Sequence, residues 1–178
     1  NNDMLYQTQS IENEMTIIKS SPIIEQMVKN LDLEVMYFEY AEYQYYNSYK
    51  SVPFKIFIFK DHPQLIETLF DIVVNADGSF KIILNKQNAT VFNYITNQIL
   101  EVKEEYELTL NGSIGEILET SDFKLLITIN DNEDLQQLEG RNFAFKLTTL
   151  DELTKQFKSA LEYSVPNKDA TVVQIGMT

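Results

Sequence analysis

The sequence predicts an α+β fold: a mainly antiparallel or mixed β-sheet packed with two N-terminal helices and one helix in the C-terminal half. Three observations carry that prediction. Apolar residues recur at helical spacing only near the start and between Leu150 and Leu161. Between them lie successive runs in which apolar and polar residues alternate, the period of a strand with one buried face. Turn-forming clusters separate these runs, and the order of helices, many strands, one helix and two strands belongs to the α+β class.

Residues 1–9 are polar and read as a lead-in, with 10–178 as one domain. Ser10 is placed to cap a helix carrying Ile11, Met15 and Ile18. Ser21-Pro22 then reads as a cap followed by proline at the first helical position, opening a helix to Asn30 with Ile24, Met27, Val28 and Leu31 as its apolar stripe. Phe54, Ile56 and Ile58 alternate with Lys55, Phe57 and Phe59, a pattern expected of a sheet covered on both sides. Phe70/Ile72/Val74 and Phe80/Ile82/Leu84 flank Asn75-Ala76-Asp77-Gly78-Ser79, a hairpin whose Asp-Gly supplies positive φ. Further strands are read at Tyr106/Leu108/Leu110, Phe123/Leu125/Ile127/Ile129 and Phe143/Phe145/Leu147, separated by Asn111-Gly112-Ser113 and the acidic Asn130–Glu139 loop. Thr149-Leu150-Asp151-Glu152 has the form of a capping box, followed by the stripe Leu150, Leu153, Phe157 and Leu161. Two closing strands, Leu161–Val165 and Ala170–Met177, are joined through Pro166-Asn167-Lys168-Asp169.

Composition narrows the function. The chain has 178 residues, 27 acidic against 14 basic side chains, and a net charge of −13. Such a surface repels phosphate backbones and anionic headgroups, so nucleic acid is not an expected partner. With no cysteine there is no disulfide, thiolate metal site or cysteine nucleophile. Apolar runs such as Ile56-Phe57-Ile58-Phe59 are far shorter than the roughly 20 residues of a membrane helix.

No motif marks catalysis. The glycines fit no phosphate-binding loop, and Gly112-Ser113-Ile114-Gly115 lacks the following lysine and reads as a turn. His62 is the single histidine; Asp61 is its neighbour in the chain, but a triad needs groups converging from elsewhere, and a loop histidine is expected. Asp131, Glu133 and Asp134 crowd one loop without the glycine of a calcium loop, so a solvated acidic loop is expected. Asn88-Ala89-Thr90 and Asn111-Gly112-Ser113 match the glycosylation triplet, a pattern common by chance. A hydrolase acting through two carboxylates would need a pair at a defined separation, and no spacing here marks one. No catalytic residue, cofactor or metal is therefore assigned.

Two segments together resemble a known family. Asn13-Glu14-Met15-Thr16-Ile17-Ile18-Lys19-Ser20-Ser21, running on through Ile24-Glu25-Gln26-Met27-Val28-Lys29-Asn30-Leu31-Asp32-Leu33, is similar to the opening extracytoplasmic segment of Wzz/Wzc-type polysaccharide co-polymerases. These are chain-length determinants, several of them fused to bacterial tyrosine kinases. Ser48-Tyr49-Lys50 with Pro53-Phe54-Lys55-Ile56 resembles a passage of bacteroidete-type members. Gly140-Arg141-Asn142-Phe143 to Leu161, then Lys168-Asp169-Ala170-Thr171-Val172-Val173-Gln174-Ile175, resembles the close of the same domain. Residues 60–140 join this resemblance by strand pattern alone.

The resemblance implies a periplasmic domain, excised from an inner-membrane parent that is anchored on both sides of it and self-associates. The parent would act with polymerase and export machinery in setting capsular or exopolysaccharide polymerisation, chain length or export, by scaffolding and without bond-making in this chain. A helical hairpin and any tyrosine kinase domain of the family lie beyond it. The alternative is a free-standing glycan-binding β-rich module, suggested by the run YFEYAEYQYYNSYK over residues 37–50, which holds six of the ten tyrosines. Tyr37, Phe38 and Tyr49 match family positions and are expected in or beside the sheet. Tyr40, Tyr43, Tyr45 and Tyr46 do not, and are the candidate interface or glycan-contact residues. β-propensity alone also accounts for them.

Overall fold

The computed structural model describes residues 13, 16–18, 20–31, 33–41, 44–48, 52–130, 135–138, 141–164 and 174–177. Tyr43, Tyr49, the first expected cap at Ser10 and the carboxylates at 131–134 lie outside them. The fold is α+β with antiparallel sheets. Its contacts gather into two compact units, one of residues 1–33 with 150–178, the other of 34–149.

Among the described residues the first unit holds helical positions 13 and 16–18, two longer helices and one strand pair. Thr16–Ile18 are helical, with Ile17 and Ile18 exposed. Helix α1 spans Ser21–Leu31 and α2 spans Leu150–Ala160. The first helical bond of α1 is accepted by the carbonyl of Ser20, from Ile24 N at 3.2 Å. The cap therefore falls on Ser20, one residue before the expected Ser21, and Pro22 sits in the first turn, where a missing N–H costs nothing. Of the expected stripe on α1, Ile24 and Val28 are buried while Met27 and Leu31 are exposed. Ile24 and Val28 pack with Leu153, joined by Leu33, Leu150, Phe157 and Leu161. The whole stripe predicted for α2 is thus engaged. Strands Leu161–Ser164 and Gln174–Met177 pair antiparallel, and are numbered last below.

The second unit is a sandwich of two sheets. Strands β1 (Val35–Ala41), β2 (Gln44–Asn47), β4 (Gln64–Ile66), β5 (Leu69–Val74), β6 (Ser79–Asn93), β7 (Gln98–Ser113) and β10 (Asn142–Leu147) form a seven-stranded sheet. Its order is β2-β1-β10-β5-β6-β4, with β7 also paired to β6. Because β7 follows β6 along its length, β5 and β4 share the opposite side of β6, and β7 is an edge strand. Strands β3 (Phe54–Ile58), β9 (Lys124–Ile129) and β8 (Ile117–Glu119) form a three-stranded sheet in the order β3-β9-β8. The strand pair of the first unit supplies β11 and β12. Between the sheets, Phe54 meets Phe143 edge-on at 5.5 Å, Phe70 meets Phe123 at 5.2 Å, and Phe70 stacks on Phe145 at 4.6 Å.

One expectation for β3 is corrected. Its Phe54 and Ile56 are buried, but Phe57 is 42% exposed, so the small sheet is covered on one side only. The Lys55 ammonium lies 4.9 Å from the Phe57 ring centre, which shields that aromatic face with a cation.

The β6–β7 hairpin is longer than the alternating runs predicted. Even-numbered Phe80, Ile82 and Leu84 are buried in its first half, and odd-numbered Ala89 and Val91 in its second. The change of parity falls at Asn88, whose φ is +54°. Asparagine tolerates this left-handed conformation, and one such residue rotates every following side chain to the other face. At the hairpin end, Asn93 Oδ1 accepts from the amides of Ile95 and Thr96, both at 2.9 Å. The predicted Asp-Gly turn between β5 and β6 is present, with Gly78 at φ +82° and Asn75 N bonded to Ser79 O at 2.8 Å.

Gly112 lies opposite Phe80 in the hairpin register, and a Cβ there would sit 2.5 Å from the Phe80 ring. Since Phe80 is buried, the ring has no space to retreat. Gly112→Ala is expected to lower stability by about 1–3 kcal/mol in urea unfolding, as overpacked sites do.

Candidate functional site

The tyrosine run forms the β1–β2 hairpin at one edge of the large sheet. Register sets Tyr40 opposite Tyr45 and Glu39 opposite Tyr46. Alternation therefore divides the cluster: Tyr40 and Tyr45 share the face carrying Phe38, and Tyr46 lies on the other with Tyr37 and Glu39. The rings of Tyr40 and Tyr45 meet edge-to-face at 5.0 Å with an interplanar angle of 60°. The Tyr45 hydroxyl donates to Asp71 Oδ1 at 2.5 Å, reaching past β1 and β10 to β5. Ala144 of β10 lies between, opposite Phe38 on one side and Asp71 on the other, and is fully buried. A small residue in that row lets the phenol cross it. Burial, then the hydrogen bond and charge of Asp71, hold the Tyr45 phenol well above its usual range.

Tyr46 accepts from the Gln44 side chain two residues away. On the same face Glu39 pairs with Arg141 at 2.7 Å, and Arg141 lies over the Phe143 ring at 4.8 Å. Tyr37 turns inward as expected: its hydroxyl accepts from Ile56 N at 3.0 Å, and its ring meets Phe54 edge-on at 6.0 Å. It thereby closes the free edge of β3. The structure thus brings Tyr40 and Tyr45 together and sets Tyr46 apart from them.

His62 sits in the turn after β3. Its Nδ1 is 2.9 Å from Pro63 O and its Nε2 is 4.0 Å from Glu119, a carboxylate that Lys124 holds below its ordinary range. The triplet residue Asn88 is the parity-changing position in β6, and Asn111-Gly112-Ser113 ends β7. Gly115 occupies the β7–β8 turn at φ +85°. Among the described residues no cluster of three or more His, Asp or Glu side chains is placed to hold a metal ion. No described helix is long and apolar enough to cross a membrane.

Two polar clusters escaped the sequence reading. In the first, Asp122 is nearly buried and receives Lys103 Nζ on both oxygens at 2.7 Å and the Tyr106 hydroxyl at 3.0 Å. Lys103 and Tyr106 reach the same carboxylate because the hairpin changes parity between them. The turn presenting Asp122 is tied by Thr120 Oγ1, which accepts from Asp122 N and Phe123 N. The second gathers Glu34, Lys60, Glu67, Tyr94, Lys146 and Thr148. Glu67 has φ +51°, and its Oε2 pairs with Lys146 at 2.7 Å. The Tyr94 hydroxyl donates to Thr148 O at 2.7 Å, and Lys60 pairs with Glu34. Among the described residues, Glu67 Oε1 and Thr148 Oγ1, both buried there, have no hydrogen-bond partner. Residues so far apart in sequence leave no spacing to read.

Burial pushes the phenols of Tyr94 and Tyr106 up as well, reinforced by Glu34 and Glu67 for the first and by Asp122 for the second. The unfolded chain releases such protons near pH 10, whereas the folded chain keeps them. The folded state then binds more protons, so stability is intact below about pH 10 and is lost as pH rises above it. Urea unfolding at about pH 8 and about pH 11 is expected to show this fall. Tyr45→Phe, which removes the bond to Asp71, is expected to cost about 0.5–1.5 kcal/mol at neutral pH in the same measurement.

Models of known protein families and curated protein sequences, compared with this chain, give no match.

Proposed function

We propose that this chain is the periplasmic scaffold portion of a polysaccharide co-polymerase, helping to set polymerisation, chain length or export of a capsular or exopolysaccharide. One observation supports the reading beyond the sequence resemblance. The two segments that carry the resemblance at opposite ends of the chain pack into one unit, Ile24 and Val28 of α1 against Leu153 of α2. Lys158 Nζ, near the end of α2, is 3.3 Å from Ser21 Oγ at the start of α1. The backbone thus arrives at α1 and departs from α2 at neighbouring points. That arrangement is compatible with a domain held by a membrane span on each side.

On this reading the chain works by shape and contact. It makes no bond; a rigid β sandwich, stiffened by the Phe54/Phe143 and Phe70/Phe123 contacts, presents surfaces to the polymerase and export machinery and to other copies of the parent. The test is genetic and chemical. Replacing α2 residue Leu153 with Asp in the parent gene should uncouple the two resembling segments, and cell-surface polysaccharide resolved by gel electrophoresis should then shift in length distribution or disappear. An unchanged distribution from a strain expressing the substituted protein, or a parent gene lacking flanking apolar stretches of roughly 20 residues, would sink the reading.

A further inference from the structure

Strand β7 is a long edge, bulged at Leu100, where the register with β6 shifts. Among the described residues it pairs with β6 alone, so beyond the bulge alternate backbone N–H and C=O groups along its outer side are directed away from the sheet. From Gln98 to Val102 every residue is exposed, including Ile99 at 61%, Leu100 at 51% and Val102 at 52%. Natural sheets normally shorten, bulge or cover such an edge, and an uncovered one is a template for another strand.

The side chains restrict what that strand can be. Val102 lies on the face away from Lys103, while Leu100 is the bulged residue between Ile99 and Glu101, which pair with Phe92 and Val91. Beyond the change of parity, the same face continues with Glu105 and Glu107, opposite the inward Tyr106. Glu101 and Glu104 add two more carboxylates. The one ammonium in the stretch, Lys103, is drawn to Asp122 at 2.7 Å and stands 3.9 Å from Glu101. Among the described residues no Lys or Arg pairs with Glu104, Glu105 or Glu107. A second copy of this strand would bring carboxylates against carboxylates in a chain of net charge −13.

We propose that the outer edge of β7 from Glu101 to Glu107 takes up an extended cationic polypeptide segment of another protein by strand addition. Its recognition face would carry two lysines or arginines opposite Glu107 and Glu105, and one β-branched apolar residue opposite Val102. Main-chain bonds supply affinity in this mode and alternate side chains supply selectivity. The proposal is independent of the co-polymerase reading: it requires only this surface.

The probe is the peptide Lys-Thr-Lys-Thr-Thr-Val-Thr, titrated into the 178-residue chain at low salt with backbone amide NMR. Shift changes and slowed amide exchange confined to residues 101–107 are expected. Affinity should fall as salt rises, and the same peptide with glutamate for lysine should not bind. Glu105→Lys should weaken binding about tenfold, whereas Glu116→Lys, an equal charge change beyond the other end of β7, should leave it unaltered. Absence of binding, shifts spread over other acidic surfaces, or equal loss from both variants would overturn the proposal. So would a doubling of solution mass with β7 amides already protected in the absence of peptide, which would assign the edge to a second copy.

Discussion

The β sandwich depends on an aromatic seam. Phe54 of the small sheet is set against Phe143 of the large one, and Phe70 stands between Phe123 and Phe145. All five rings are almost fully buried. Edge-to-face and stacked pairs of this kind add about 0.5–1.5 kcal/mol each to what burial alone contributes. They also fix the separation and stagger of the sheets, because rings of this size tolerate few alternative packings. Strands β3, β5, β9 and β10 owe their inward faces to that seam, and the outer strands are added to them by backbone pairing.

Where the seam ends, polar groups complete the edges. Gln64 of β4 is fully buried, yet its amide behaves like a stretch of backbone. Nε2 donates to Phe59 O at 2.8 Å and Lys124 O at 3.0 Å, while Oε1 accepts from Lys124 N at 3.4 Å. Tyr37 does the corresponding work at β3, and Asp122 with Lys103 and Tyr106 at the hairpin. Each group is buried only because its partners are in place. Glu67 Oε1 and Thr148 Oγ1 are the exceptions; a polar atom left so costs about 1–3 kcal/mol. Glu67 also holds a positive φ of +51°, an uncommon conformation for a residue other than glycine.

The parts of this architecture that could be read from the sequence share one property: a single side of each element faces the interior. Phe70/Ile72/Val74, Phe80/Ile82/Leu84 and the α2 stripe announce themselves because burial and periodicity coincide. The stretch from Asn85 to Glu105 does not. Its residues are mostly exposed on both faces, and Asn88 shifts the phase midway, so alternation is erased while the strands continue. The short strands β4 and β8 are too brief to show a period. In the tyrosine run, β-propensity foretold strands, but which tyrosines meet depended on hairpin register. That register set Tyr40 beside Tyr45 and left Tyr46 on the opposite face. The long reach of Tyr45 to Asp71 needed the small Ala144 between them, a relation among three strands that no local pattern encodes.

Thr148 N donates to Glu34 O at 2.9 Å, which fastens the two extremities of the β unit to one another. That bond bears on the order in which the chain assembles. Helix α1 is made early and its partner α2 only after the intervening strands, so their pairing spans most of the sequence and would carry a large closure entropy in an unstructured chain. A β unit that clasps its own extremities removes most of that cost. It turns a distant encounter between α1 and α2 into a nearly local one, since α1 ends at Leu31, just before Glu34, and α2 begins at Leu150, just after Thr148.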